Sequence, residues 1–65
     1  ENWVEKLSLN DAMKKLADRE RDIITLRFFE GKTQMEVADI IGISQAQVSR
    51  LEKNALKIMR NYLSA

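Results

Sequence analysis

The stretch from Thr33 to Lys53, TQMEVADIIGISQAQVSRLEK, decides the fold. Thr33 and Glu36 have the spacing of a capping box, in which the hydroxyl accepts from the N–H three residues on and the carboxylate accepts from the N–H of Thr33. Ser44 and Gln47 repeat the device further along. Between the two boxes stands Gly42, which can take the positive φ that ends one helix and reverses the chain. Helices joined by so short a turn cross steeply and need a close contact at the crossing. Ala38 is small enough to allow that contact, Ile43 plugs the corner, and Val48 and Leu51 pack back onto Val37 and Ile41. The pattern is that of a helix-turn-helix, with an αα-corner inside a helical bundle as the alternative that spacing alone leaves open.

Upstream, Ser8 with Asp11 signals another start, and Leu9, Ala12, Met13 and Leu16 follow helical spacing, predicting a helix over 9–16. Asp18 is placed to cap a second helix over 19–30, with Ile23, Ile24, Leu26, Phe28 and Phe29 as its apolar residues and Gly31 as its stop. The third helix is predicted at 34–41, with Val37, Ala38, Ile40 and Ile41 covering one side. The fourth, at 45–62, meets no proline or glycine. The fold class is therefore all-α, a four-helix helix-turn-helix domain without a wing. Residues 9–65 form the domain and residues 1–8 read as a linker remnant, with Trp3 and Val4 packing back onto the core. The first residue is Glu1 rather than methionine, which points to a piece of a longer protein.

Composition narrows the chemistry. A chain of 65 residues buries only about 60% of the surface its unfolded form exposes, too little for a large enclosed active site. The absence of histidine and cysteine removes the usual general base and the commonest metal ligands. Glu–Lys pairs occur, but i,i+4 pairing on helices explains them, so the chain does not read as an enzyme and calls for no cofactor, metal or small-molecule substrate. It contains no apolar run of membrane-spanning length and no signal-peptide pattern, so the expected location is the cytoplasm.

The net charge of +1 hides an asymmetry. Residues 1–32 hold seven basic and seven acidic side chains, whereas residues 45–65 hold Arg50, Lys53, Lys57 and Arg60 against Glu52 alone. Such a local excess points to contact with a polyanion. On a helical wheel of the last helix, Val48, Leu51, Ala55, Ile58 and Tyr62 share the side that faces the core. Nearly opposite lie Ala46, Ser49, Arg50, Lys53, Lys57 and Arg60. A helix with an apolar inner stripe and a cationic outer one fits a major groove, where its first turns meet base edges and its later cations meet phosphate. Taken singly, Lys57 and Arg60 are ordinary solvated residues; their alignment gives them weight.

These residues resemble region 4 of bacterial RNA polymerase sigma factors. DRER at 18–21, LRFFEGKT at 26–33, EVA at 36–38, GIS at 42–44 and QVSRLEKNAL at 47–56 occur together in register, and the resemblance runs from about Leu9 to Leu63. Within the family, ISQAQVSRLEK is most similar to the sporulation and general-stress branch of Gram-positive spore formers, late forespore sigma factors in particular. The resemblance implies a transcription initiation factor whose helix-turn-helix reads the upstream promoter element, the −35 box. Gln45, Ala46, Ser49 and Arg50 fall where the family contacts bases. Arg50 could donate two hydrogen bonds to guanine, and Ala46, standing where primary sigma factors carry glutamate, offers only an apolar contact, so the preferred hexamer should differ. Arg19, Arg27, Thr33, Gln47, Lys53, Asn54 and Lys57 are the implied DNA-backbone contacts.

The resemblance also implies protein partners: the RNA polymerase core, through a helix at the tip of its β-subunit flap, and anti-sigma proteins on the same surface. Leu16, Ile23, Leu26, Phe28, Leu56, Met59, Tyr62 and Leu63 are the candidate contacts, with Ile24 and Phe29 beside them. Each is also wanted for the core, yet the fourth helix is apolar at 55, 56, 58, 59, 62 and 63, more than one core stripe requires. Two alternatives differ in what they predict. The output domain of LuxR-type response regulators shares the LxxRE-like start but usually carries a histidine in its recognition helix, which is absent here. A protein-interaction module without DNA contact would leave DNA binding indifferent to Arg50.

Overall fold

The computed structural model describes residues 9–64, and these form α1 (9–14), α2 (Asp18–Ile24), α3 (Gln34–Ile41) and α4 (Gln45–Ser64). The Ser8 cap and the linker reading of residues 1–8, with Trp3 and Val4, lie outside the described residues. No strand occurs among those described, so the expected all-α class without a wing is what the chain adopts.

α4 is the spine. At about 1.5 Å per residue its length is roughly 30 Å, most of the molecule's longest dimension of 36 Å. The other helices pack along it in two clusters. Ile23, Val37, Ala38 and Val48 bury the crossing of α2, α3 and the start of α4, with Leu26, Ile41, Ile43 and Leu51 around them. Ala12, Met13, Leu16 and Ile24 close on Ala55 and Met59 further along the same helix.

Local rules explain the boundaries. Thr33 accepts from the Glu36 N–H at 3.1 Å while its own N–H donates to Glu36 Oε1 at 2.8 Å, so α3 starts where the sequence predicts. The Ser44–Gln47 box closes with both backbone bonds at 3.1 Å and starts α4. At the corner Gly42 has φ 87°, and the N–H groups of Gly42 and Ile43 both donate to the Ala38 carbonyl. Gly31, at φ 74°, ends the preceding helical segment in the same way.

Four expectations need correction. α1 tightens after residue 14 into a turn whose Lys15 and Leu16 N–H groups donate to Ala12 and Met13, so its last regular turn stops short of 16. Asp18 does not cap α2; it lies inside the helix and pairs with Arg21 at 2.6 Å, while the cap position belongs to Ala17, whose N–H donates to Glu20 Oε1. Alanine has no hydroxyl to complete a box, so the start rests on that single carboxylate. α2 does not continue as a regular helix to residue 30 but widens into a π-helical turn, Thr25–Phe29, in which the Glu30 N–H reaches the Thr25 carbonyl. Ile40, placed on the inner side of α3 by spacing, is 56% exposed.

The buried line of α4 also differs by one position around the helix. It runs Val48, Glu52, Ala55 and Met59, with Leu51 and Ile58 at its edge and Tyr62 exposed. The cause is the change of partner along α4, which meets α2 and α3 early and α1 late.

Candidate nucleic-acid interface

The cap at Ser44 fixes where the outer face of α4 begins. Gln45, Ala46, Gln47, Arg50, Lys53 and Lys57 are exposed and Ser49 is half-buried, while Val48 and Ala55 on the opposite side are fully buried. None of Arg50, Lys53 and Lys57 has an ion-pair partner among the described residues. An α-helix with three such cations in succession and no acid exposed beside them presents positive potential along one flank. Arg60 continues this exposed flank. Arg19 is exposed on the first turn of α2, and Thr33 is exposed at the start of α3, where backbone N–H groups and the helix dipole favour an anion. The neighbouring Glu36 carboxylate already uses that environment. Hydrogen bonds from the Thr33 N–H and hydroxyl hold its pKa below the ordinary carboxylate value.

Three expected backbone contacts turn out to have work inside the fold. Gln47 accepts from the Ser44 N–H. The Asn54 amide donates to Glu20 Oε2. Arg27, only 26% exposed, donates from Nε to Glu52 Oε1 at 2.7 Å and from Nη1 to the Lys32 carbonyl at 2.9 Å.

Comparison with known proteins settles the family. Residues 12–61 match the family described as "Sigma-70, region 4". The chain belongs to the sigma-70 region 4 family. It is 64% identical over 63 residues to an RNA polymerase sigma-G factor of Clostridium acetobutylicum, covering 97% of this chain and 24% of that protein. It is 65% identical over 57 residues to the sigma-G factor of Bacillus subtilis, covering 88% of this chain and 22% of that one. A sigma-F factor of Bacillus licheniformis is 52% identical over 63 residues, 97% of this chain and 25% of the relative. The chain thus spans about a quarter of the length of the curated relatives it matches. No solved structure gives a significant match. The resemblance to the late sporulation branch stands, and the LuxR-type alternative falls with the family assignment.

In this region 4 domain the apolar residues expected to meet protein partners do not form one surface. Leu16 and Ile23 are buried core, and Met59, 7% exposed, floors an open groove that Leu56, Arg60 and Leu63 complete. Tyr62 is exposed close by in sequence, its ring 5.4 Å from the Lys15 ammonium. Leu26 instead lines a second depression with Asp22, Thr25, Glu30, Ile40 and Ile41. Phe28 and Phe29 project from the π-helical turn, each more than half exposed.

Charge at the core is what sequence reasoning missed. Glu20 and Glu52 are 7% and 8% exposed, and each ties α4 to an earlier part of the chain: Glu20 through Asn54, Glu52 through Arg27 and Gln34. A signal existed for both. Glu20 stands three residues after Ala17, the spacing of a carboxylate returning to a cap N–H, and Glu52 falls between Val48 and Ala55 on the buried arc.

Proposed function

We propose that this region 4 domain reads the −35 element of promoters as part of an RNA polymerase sigma factor, directing transcription initiation of sporulation genes. The observation that carries this reading is the orientation of α4: Val48 and Ala55 are fully buried while Arg50, Lys53 and Lys57 stand exposed without ion-pair partners among the described residues. Gln45, Ala46, Ser49 and Arg50 address base edges from the first turns of α4, and Lys53 and Lys57 address phosphates. Arg19 and Thr33 flank them on the backbone. The exposed part of Leu56, Leu63 and Tyr62 receives an amphipathic helix, for which the β-flap of the polymerase core and an anti-sigma protein are the candidates. The names of the relatives, sigma-G and sigma-F factors of RNA polymerase, support the role.

A single module that neutralises a handful of phosphates binds weakly and steeply with salt, so the isolated chain is tested at low salt, where its binding is strongest, and the polymerase adds affinity by holding the domain near its site. The test is selection of duplexes from a random pool by the 65-residue chain, followed by titration at two salt concentrations. A recurrent hexamer and an affinity that falls with salt support the reading. No enrichment at the lower salt concentration, or binding indifferent to salt, overturns it in favour of a module that meets protein alone.

A further inference from the structure

We propose that the depression between the π-helical turn and the end of α3 is a second protein-docking surface, and that its occupant is an amphipathic helix of a partner protein with basic residues beside its apolar face. The inference stands independently of the DNA reading, because no residue of α4 lines the depression.

The middle of the depression is apolar and its edge is acidic. Leu26 and Ile41 are half-buried, and Ile40 stands 56% exposed beside them, in a space of about 410 Å³. Asp22 and Glu30 line it as well, both exposed, and no lysine or arginine does. Neither carboxylate has an ion-pair partner among the described residues, whose pairs are Arg21 with Asp18 and Arg27 with Glu52. Asp39, exposed and next to Ile40 in sequence, is a third acid of the same kind. The backbone acts in the same direction. Ile40 and Ile41 are the last two residues of α3, and Glu30 closes the π-helical turn, so the depression lies at the carboxyl ends of two helical segments. Such ends carry partial negative charge that favours a cation.

This combination selects the occupant. A helix that lays its apolar side chains over Leu26, Ile40 and Ile41 removes exposed hydrocarbon from water, and lysine or arginine beside that face meets Asp22 and Glu30 across the edge. A nucleic acid, or a helix with acidic flanks, is repelled by the same carboxylates. The groove at Leu56, Met59 and Leu63 has the opposite charge, with Arg60 on its lining and no acid, so the two surfaces prefer different helices.

The experiment selects helical peptides from a displayed random library on the 65-residue chain, after the library has been passed over Ile40→Glu to remove binders of every other surface. The enriched peptides are synthesised and titrated by fluorescence anisotropy against wild type, Ile40→Glu, the pair Asp22→Lys with Glu30→Lys, and Leu63→Glu. All four positions are exposed, and circular dichroism checks that each variant is folded. The expected peptides carry apolar residues at helical spacing with lysine or arginine beside them. They should bind about tenfold or more weakly to Ile40→Glu and to the charge-reversed pair, and as tightly as wild type to Leu63→Glu. No enrichment, enrichment of acidic or uncharged peptides, or binding that the charge-reversed pair retains overturns the inference. Sedimentation of wild type alone that shows dimers abolished by Ile40→Glu also overturns it, in favour of a second copy of the chain on this surface. None of these outcomes touches duplex selection, so the DNA reading stands or falls separately.

Discussion

Single residues carry uneven weight in so small a domain. Ile23 is fully buried at the junction of α2, α3 and α4, so Ile23→Ala removes three carbons and leaves a cavity, at an expected 2–5 kcal/mol. Domains of this size rarely have more than about 3–5 kcal/mol in hand, so urea denaturation should find the variant largely unfolded at 37 °C. Thr33→Ala removes the acceptor for the Glu36 N–H and should lower the unfolding midpoint by about 1 kcal/mol worth of stability. Glu36 adds a pH dependence whose sign follows from its depressed pKa. The folded state binds that proton less readily than the unfolded state, so the contribution is complete above the unfolded pKa and fades as pH falls through the lower folded value. Denaturation midpoints measured from neutral pH into the acid range should fall less steeply in Glu36→Gln than in wild type.

At the scale of elements, the turn between α3 and α4 is where sequence and structure agree most closely. Two capping boxes and Gly42 are local devices, decided by residues within a few positions of one another, and they set the ends of α3 and the start of α4 as predicted. Gly42 has open space where a side chain would begin, so Gly42→Ala meets no clash and its cost is torsional alone, about 1–2 kcal/mol for a left-handed alanine. Ala38→Leu should cost about 1–3 kcal/mol by overpacking the crossing, and should weaken DNA binding beyond what instability explains. Elements decided by distant partners were not legible in this way. The π-helical turn, the burial of Glu20 and Glu52, the exposure of Ile40 and the exchange of Tyr62 for Met59 on the buried line of α4 all depend on which helix packs opposite. Spacing treats a helix as facing one neighbour; α4 faces three. Arg27 illustrates the consequence for the site, since its charge suggested phosphate and only the fold disclosed Glu52 beside it.

Over the whole molecule, the cationic flank proposed for DNA and the groove proposed for protein lie side by side on α4 and meet at Arg60. The cationic flank begins at Gln45 and the apolar groove is built from Leu56, Met59 and Leu63 near the carboxyl end. Leu63→Glu, at a position 48% exposed, should leave fold and duplex affinity unchanged and weaken capture of the chain by RNA polymerase core in a pull-down. The central claim concerns the first flank, and Arg50 tests it most directly. A panel of labelled duplexes, each carrying one base change in the selected hexamer, is titrated with wild type and with Arg50→Lys. Loss of the two-pronged contact should relax discrimination at a single base position by about 1–3 kcal/mol and leave the others as they were. An equal loss on every duplex, or no loss on any, would contradict the placing of Arg50 at a base edge.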